Sequence, residues 1–191
     1  MKHLALASGI LALAAPLALA QTSTWKIDGN HSEVDFTVLH MSVSHVHGRI
    51  GGLSGNITVN DADPTKSTVS VTIDTTTTDT GVSMRDNDLK SANFLDVATF
   101  PTATFTSTSV AKTAGGFTVA GNLTLHGVTK PVTLAVEGPT GPSPGMDHKP
   151  HAGYSASTTI KRTDFGIAPK FPSAAVSDDI TLTIDLEVVK Q

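Results

Sequence analysis

Residues 121–136 read GNLTLHGVTKPVTLAV, and their spacing decides the fold class. Apolar side chains alternate up to the turn at Val119, Leu123 and Leu125, and again beyond it at Val132, Leu134 and Val136. A period of two marks a strand with one apolar face, and His126-Gly127 between the arms reads as a hairpin turn. The opposite face is rich in threonine. Pro131 has no N–H for a ladder, which predicts an edge or a bulge there. His126 is accordingly read as a turn residue rather than a catalytic one.

The same alternation recurs along the chain. Strands are expected over Thr24–Asp28, Val34–His40, Thr68–Thr76, Thr102–Ser107, Tyr154–Lys161 and Ile180–Val188. Arg49–Val59 contains Gly51, Gly52 and Gly55 and is expected as one strongly bent strand, as at a barrel corner. The 28 threonines suit this reading, because β-branched side chains fit a half-solvated strand. One stretch breaks the period: Ser83–Asp96 predicts a short helix near 83–95, with Ser83 as N-cap and Asp86 in the first turn. Pro139–Pro150 holds four prolines and two glycines and is expected as a loop. Half-polar strands with too little helix to cover a sheet leave a closed barrel or a sandwich. The glycine bend and about eight strands favour an antiparallel, eight-stranded barrel, whose interior is either packed or holds one small ligand.

Lys2 and His3 precede an apolar run over Leu4–Leu19, broken by Ser8, Gly9 and Pro16 and followed by Ala18-Leu19-Ala20. This predicts a secretory signal cleaved after Ala20, and a single domain over residues 21–191. The run is too interrupted and short to be a stable membrane anchor. Without Lys2 the chain carries 12 basic against 17 acidic residues, a net charge of −5, which argues against nucleic acid as a partner. There is no cysteine, so disulfides, thiol chemistry and cysteine metal sites are excluded.

Four blocks in order resemble the YceI-like family: WKIDGNHSEVDFTVLHMSVSHVHGRI (25–50), MRDNDLKSANFLD with FPTATFTSTS (84–109), GNLTLHGVTKPVTL (121–134) and RTDFGI (162–167). The resemblance implies a lipocalin-like barrel in an exported, periplasmic protein, binding a polyisoprenoid or another long apolar molecule such as a polyprenyl phosphate or quinone-like lipid. It is compatible with a homodimer, though no residue demands one. The chain departs from the family at Asp88, where a histidine is usual, and at Phe94-Leu95, where a phenylalanine pair is usual. These departures imply a differently shaped cavity.

Alternating apolar residues ordinarily pack a core; the resemblance turns the same residues into the lining of a lipid slot. On that reading Phe36, Val38, Val71 and Ile73 face the ligand from the first half of the chain. Phe105, Leu123, Leu125 and Leu134 face it from the second, and Met84, Leu89 and Phe94 form a helical lid. His40 shares the face of Phe36 and Val38 and either fills a polar core position or meets a head group. Arg85 and Arg162 suit a phosphate but are read as pairing with nearby acids such as Asp86 and Asp164. No cofactor is expected. Two histidine pairs, His45/His47 and His148/His151, leave a periplasmic metal-binding protein as one alternative. An enzyme acting on a bound isoprenoid or quinone is another, although Ser, His and Asp occur in no recognised nucleophile setting.

Overall fold

The computed structural model describes residues 22–191; the expected signal segment lies outside the described residues. Ten strands follow in order: β1 (Thr22–Ile27), β2 (Glu33–His40), β3 (Ser44–Ile50), β4 (Ser54–Asn60), β5 (Thr68–Asp74), β6 (Thr102–Lys112), β7 (Phe117–Leu125), β8 (Val128–Pro144), β9 (Pro150–Lys161) and β10 (Asp179–Lys190). All pairings are antiparallel, and the ring β1–β4–β5–β6–β7–β8–β9–β10 closes back on β1, which makes an eight-stranded barrel. The β2–β3 hairpin prolongs the wall. β1 and β2 share one edge of β10, the first against Val188–Lys190 and the second against Thr181–Asp185.

The expected single strand over Arg49–Val59 is instead two strands, β3 and β4. The chain breaks at Gly51-Gly52-Leu53, where Gly52 has φ +64° and Leu53 turns inward to 3% exposure. A residue at that φ leaves the strand conformation, and glycine tolerates it at no steric cost.

The opening hairpin forms as read. Leu125 pairs with Val128, and both turn residues have positive φ, His126 at 51° and Gly127 at 73°. This is the two-residue turn whose twist matches that of the flanking strands. Pro131 stands opposite Asn122 in an unbroken β7 ladder, while the ladder to β9 begins only at Ala135. Its missing donor therefore falls on a stretch of β8 that is paired on one side only, the edge position that proline tolerates.

The loop expected over Pro139–Pro150 is largely strand. β8 runs to Pro144, and its register against β9 slips twice: Glu137 faces Ser155, Thr140 faces Gly153 and Ser143 faces His151. Three residues of β8 thus spend the length of two on β9. The Gly138-Pro139 and Gly141-Pro142 units bulge out between the paired positions, so the prolines interrupt the ladder without ending it.

The helix α1 covers Ser83–Lys90, shorter than expected, and Val82 rather than Ser83 is its N-cap, with no side-chain cap bond. Asp86, in the first turn, instead reaches back ahead of the helix, where its carboxylate accepts the N–H (2.8 Å) and hydroxyl (2.5 Å) of Thr80. Thr80 in turn takes both Nε (2.7 Å, on Oγ1) and Nη2 (2.9 Å, on the carbonyl) of Arg85, so Arg85 pairs with Thr80 and not directly with an acid.

Candidate ligand-binding cavity

The apolar interior forms two clusters rather than one. The first gathers Phe94, Phe105, Leu123, Ile160, Phe165 and Ile167; the second gathers Ile27, Val34, Leu53, Ile57, Val71 and Val188. Between them runs a cavity of about 310 Å³ whose lining draws on both, from Phe105, Val119 and Leu123 on one side to Val34, Leu53 and Val71 on the other. Walls that stand this far apart leave unfilled space that close packing would otherwise remove.

Local features of the sequence aim the lining. β6 carries a bulge between Ser107 and Ser109, which resets the alternation so that Val110 points inward at 9% exposure. The Ser107 hydroxyl accepts the Val69 N–H at 2.8 Å and so satisfies the backbone beside the bulge. On β7 the inward position between Val119 and Leu123 is Gly121, and the Phe105 ring lies where a side chain there would stand.

One end of the barrel is packed solid. The chain turns through Arg162–Phe165 and returns by a long connection to Asp179, burying Phe165 (2% exposed), Ile167 and Ala168 across the barrel end. Phe94 joins them and packs its ring, tilted by 40°, against Phe171 at 5.1 Å. Arg162, itself 3% exposed, ties this connection together. Its guanidinium donates to the carbonyls of Ser177 (3.2 Å), Ile167 (3.1 Å), Ala168 (2.6 Å), Phe171 (2.7 Å) and Val176 (3.1 Å). It meets backbone, and not the acid that sequence suggested. His126 contributes from the β7–β8 turn, its Nδ1 3.0 Å from the Phe165 carbonyl and its ring edge-on to Phe100 at 4.8 Å.

The other end is the rim. There the cavity reaches Asp61, Pro64 and Ser67 of the β4–β5 connection and Pro139 of β8. Among the described residues no lysine or arginine borders the cavity.

Five of the residues singled out from sequence line this cavity: Val71, Ile73, Phe105, Leu123 and Leu134. The other seven lie elsewhere. Leu125, Leu89 and Phe94 pack in the closed-end cluster beneath the cavity. Phe36 stands opposite Leu182 of β10, with its ring over Gly48 of the β2–β3 hairpin rather than in the cavity lining, and Val38 lies further along that hairpin opposite Val46. His40 is exposed at the tip and bridges to Val176, and Met84 is 83% exposed on the outside of α1 rather than a lid over the interior. For the five lining residues alternation assigned the inward face correctly, but it carried no information on depth along the barrel axis, so His40 on the same face of β2 ends exposed. The lining residues that sequence reading missed, among them Tyr154, Leu182 and Leu186, follow the same period on β9 and β10.

Neither histidine pair gathers a metal set as paired. His45 and His47 share a face of β3 with ring centroids 6.4 Å apart, but His47 bonds Thr37, and among the described residues no carboxylate joins them in a metal-binding group. His148 sits at a turn with φ 62°, and the ring of His151 bonds Glu187 and Asp147 instead. The letters Gly141-Pro142-Ser143-Pro144-Gly145 spell a Gly-x-Ser-x-Gly string that sequence reading passed over. Ser143 lies in the β8 ladder opposite His151, not on a strand-to-helix elbow. Both ring nitrogens of His151 are held by carboxylates, so neither is left to take a proton from Ser143.

Eight antiparallel strands, plugged at one end and hollow and apolar toward the other, define a lipocalin-like barrel. The chain belongs to the YceI-like domain family, whose sequence pattern matches residues 25–188. It is 40% identical over 178 residues to a protein named YceI from Salmonella newport, covering 90% of each chain. Among solved structures it is similar to the Campylobacter jejuni YCEI protein, with TM-score 0.70 and 31% identity over 78% of this chain and 87% of that one. It also shares its fold with a polyisoprenoid binding domain from Saccharophagus degradans implicated in plant cell wall breakdown (TM-score 0.63, 17% identity, 87% of this chain and 98% of that one).

Proposed function

We propose that the protein is an exported, periplasmic carrier that holds the tail of an isoprenoid lipid in this cavity and releases it unaltered. The observation that carries the reading is an apolar cavity, plugged below, inside a closed wall. Its fold relative described as a polyisoprenoid binding domain supports the same class of ligand.

Size and charge narrow the ligand. An apolar cavity of about 150 Å³ holds one benzene, so a space of 310 Å³ accommodates on the order of a dozen carbons, two or three isoprene units. At about 0.8 kcal/mol per buried CH₂ that is roughly 8–10 kcal/mol before ordering costs, enough for useful affinity. A longer tail extends past the rim. With Arg162 and Arg85 committed to backbone and hydroxyl oxygens, the cavity presents no lysine or arginine to a phosphate among the described residues. An uncharged head, as in a polyprenol or quinone, therefore fits better than a polyprenyl phosphate.

Organic extraction of the purified protein followed by mass spectrometry tests the reading, together with thermal shift on adding a short polyprenol, a short-chain quinone and a polyprenyl phosphate. Co-purified prenyl lipid and a shift with the uncharged ligands are expected. No extracted lipid and no shift with any of them would sink the carrier reading. Export is tested separately, by fractionation and by a mature mass beginning at Gln21.

A further inference from the structure

On the outer face of the barrel, apart from the cavity, three chain segments bring two imidazoles and three carboxylates together. Asp28 and His31 come from the turn between β1 and β2, Glu187 from β10, His151 from β9, and Asp147 from the β8–β9 turn. Nδ1 of His31 lies 2.8 Å from Asp28 Oδ2 and 3.9 Å from Glu187 Oε2. His151 Nδ1 lies 2.6 Å from the other Glu187 oxygen, and its Nε2 lies 2.9 Å from Asp147 Oδ1. Glu187 thus stands between the two imidazoles with one oxygen directed at each.

The backbone fixes this arrangement. Asp28 N–H donates to the Glu187 carbonyl at 2.9 Å, and the buried Ser32 hydroxyl accepts the Glu187 N–H at 3.0 Å. The β1–β2 turn is therefore clipped to β10 at the residue whose side chain it faces. Asn30 N–H occupies Asp28 Oδ1, which leaves Oδ2 free to point at His31. His151 is diagonal to Glu187 across the β9–β10 ladder, and the residue directly opposite Glu187 is Gly153, which puts no side chain in the way.

Among the described residues no lysine or arginine pairs with Asp28, Asp147 or Glu187, so three carboxylates face only two imidazoles. One donor atom from each of Asp28, His31 and Glu187 already lies within 4.8 Å of the others. Ligands on a tetrahedral ion at about 2.0–2.2 Å stand roughly 3.5 Å apart, so small side-chain rotations close the set. Imidazole with carboxylate is the donor chemistry of zinc and its divalent transition-metal neighbours rather than of magnesium or calcium.

We propose that Asp28, His31 and Glu187, completed by His151, form a binding site for a divalent transition-metal ion of the zinc class on the barrel's outer face. Asp147 holds His151 from the far side as a positioning residue. The site would clip the β1–β2 turn to β9 and β10, beside the β1–β10 pairing that closes the barrel ring.

Calorimetric titration of the full mature chain with zinc chloride tests this, with Co²⁺ absorption reporting the ligand geometry. One equivalent is expected, weakened at least tenfold by H31A and by E187Q and unchanged by H148A or by the H45A/H47A pair. Binding that survives both H31A and E187Q, or is lost in H45A/H47A, would overturn the assignment, as would no binding at all. His31 is exposed, so H31A keeps the test valid should E187Q fail to fold. The cavity-lining variant A156F leaves zinc binding intact, which separates this site from the lipid reading.

Discussion

Replacing Arg162 by alanine removes a guanidinium that is 3% exposed and donates five hydrogen bonds to the carbonyls of one connection, between Ile167 and Ser177. Hydrogen bonds from a charged donor contribute about 1.5–3 kcal/mol each, and a buried acceptor left bare costs about 1–3 kcal/mol. The five are not additive, because the segment can relax and admit water at its edges. A loss of roughly 4 kcal/mol is expected, near the upper range for point substitutions. For a domain of this size that corresponds to a fall in Tm of about 8–16 °C. Lysine at the same position keeps the charge but presents three donors from one point and cannot span five carbonyls, so R162K recovers no more than half of the loss. Thermal and urea melts followed by circular dichroism measure both variants. Because this connection plugs the barrel, R162A should also bind an environment-sensitive apolar dye more strongly below its Tm. A fall of less than about 4 °C in R162A, with unchanged dye binding, would refute the idea that this arginine holds the plug.

Three further outcomes follow from the geometry. Ala156 lines the cavity and is 9% exposed, and a phenyl group placed there takes about half of the 310 Å³. A156F should leave the barrel folded and weaken polyprenol binding by about two to three orders of magnitude, read by fluorescence competition. Gly127 has φ +73° with the Phe100 ring close above it, so G127A should cost about 1–3 kcal/mol in a urea melt; a neutral result would mean that the turn relaxes freely. The Thr163 hydroxyl bonded to Asp178 holds that carboxyl below the usual carboxylate range, helped by the Thr163 N–H and the positive charges of Lys161 and Arg162. A depressed folded value means that its contribution is complete above about pH 4 and lost as pH falls through that value. Wild type should therefore lose more stability than D178N between about pH 4 and pH 2. Parallel curves for the two would show that Asp178 contributes no acid-labile stability.

Much of the wall was legible from sequence because its signal is local. Side chains two apart on a strand share a face whatever the rest of the chain does, and so Val71, Ile73, Phe105, Leu123 and Leu134 could be assigned inward before any tertiary contact was known. The Pro139–Pro150 stretch misled because proline and glycine forbid a regular ladder without forbidding a bulged one, and β9 supplies partners that no local rule can see. Met84 misled in the opposite way: in an eight-residue helix with no buried residue, an apolar side chain need not face inward. The cluster at Glu187 was not legible as a set, since its members come from residues 28 to 187, and the His148/His151 spacing pointed to His151 alone among them.

By itself, then, the chain determined most of its strands, the inward face of those that line the barrel and the β7–β8 turn, because period and turn chemistry act over a few residues. Only the tertiary structure decided that the opposing walls stand apart to leave a cavity, that Arg162 seals one end of it, and that His31 and His151 meet at Glu187. Each of these depends on register between strands distant in sequence. A shift of one residue between β9 and β10 would send every side chain to the other face while leaving the local pattern unchanged.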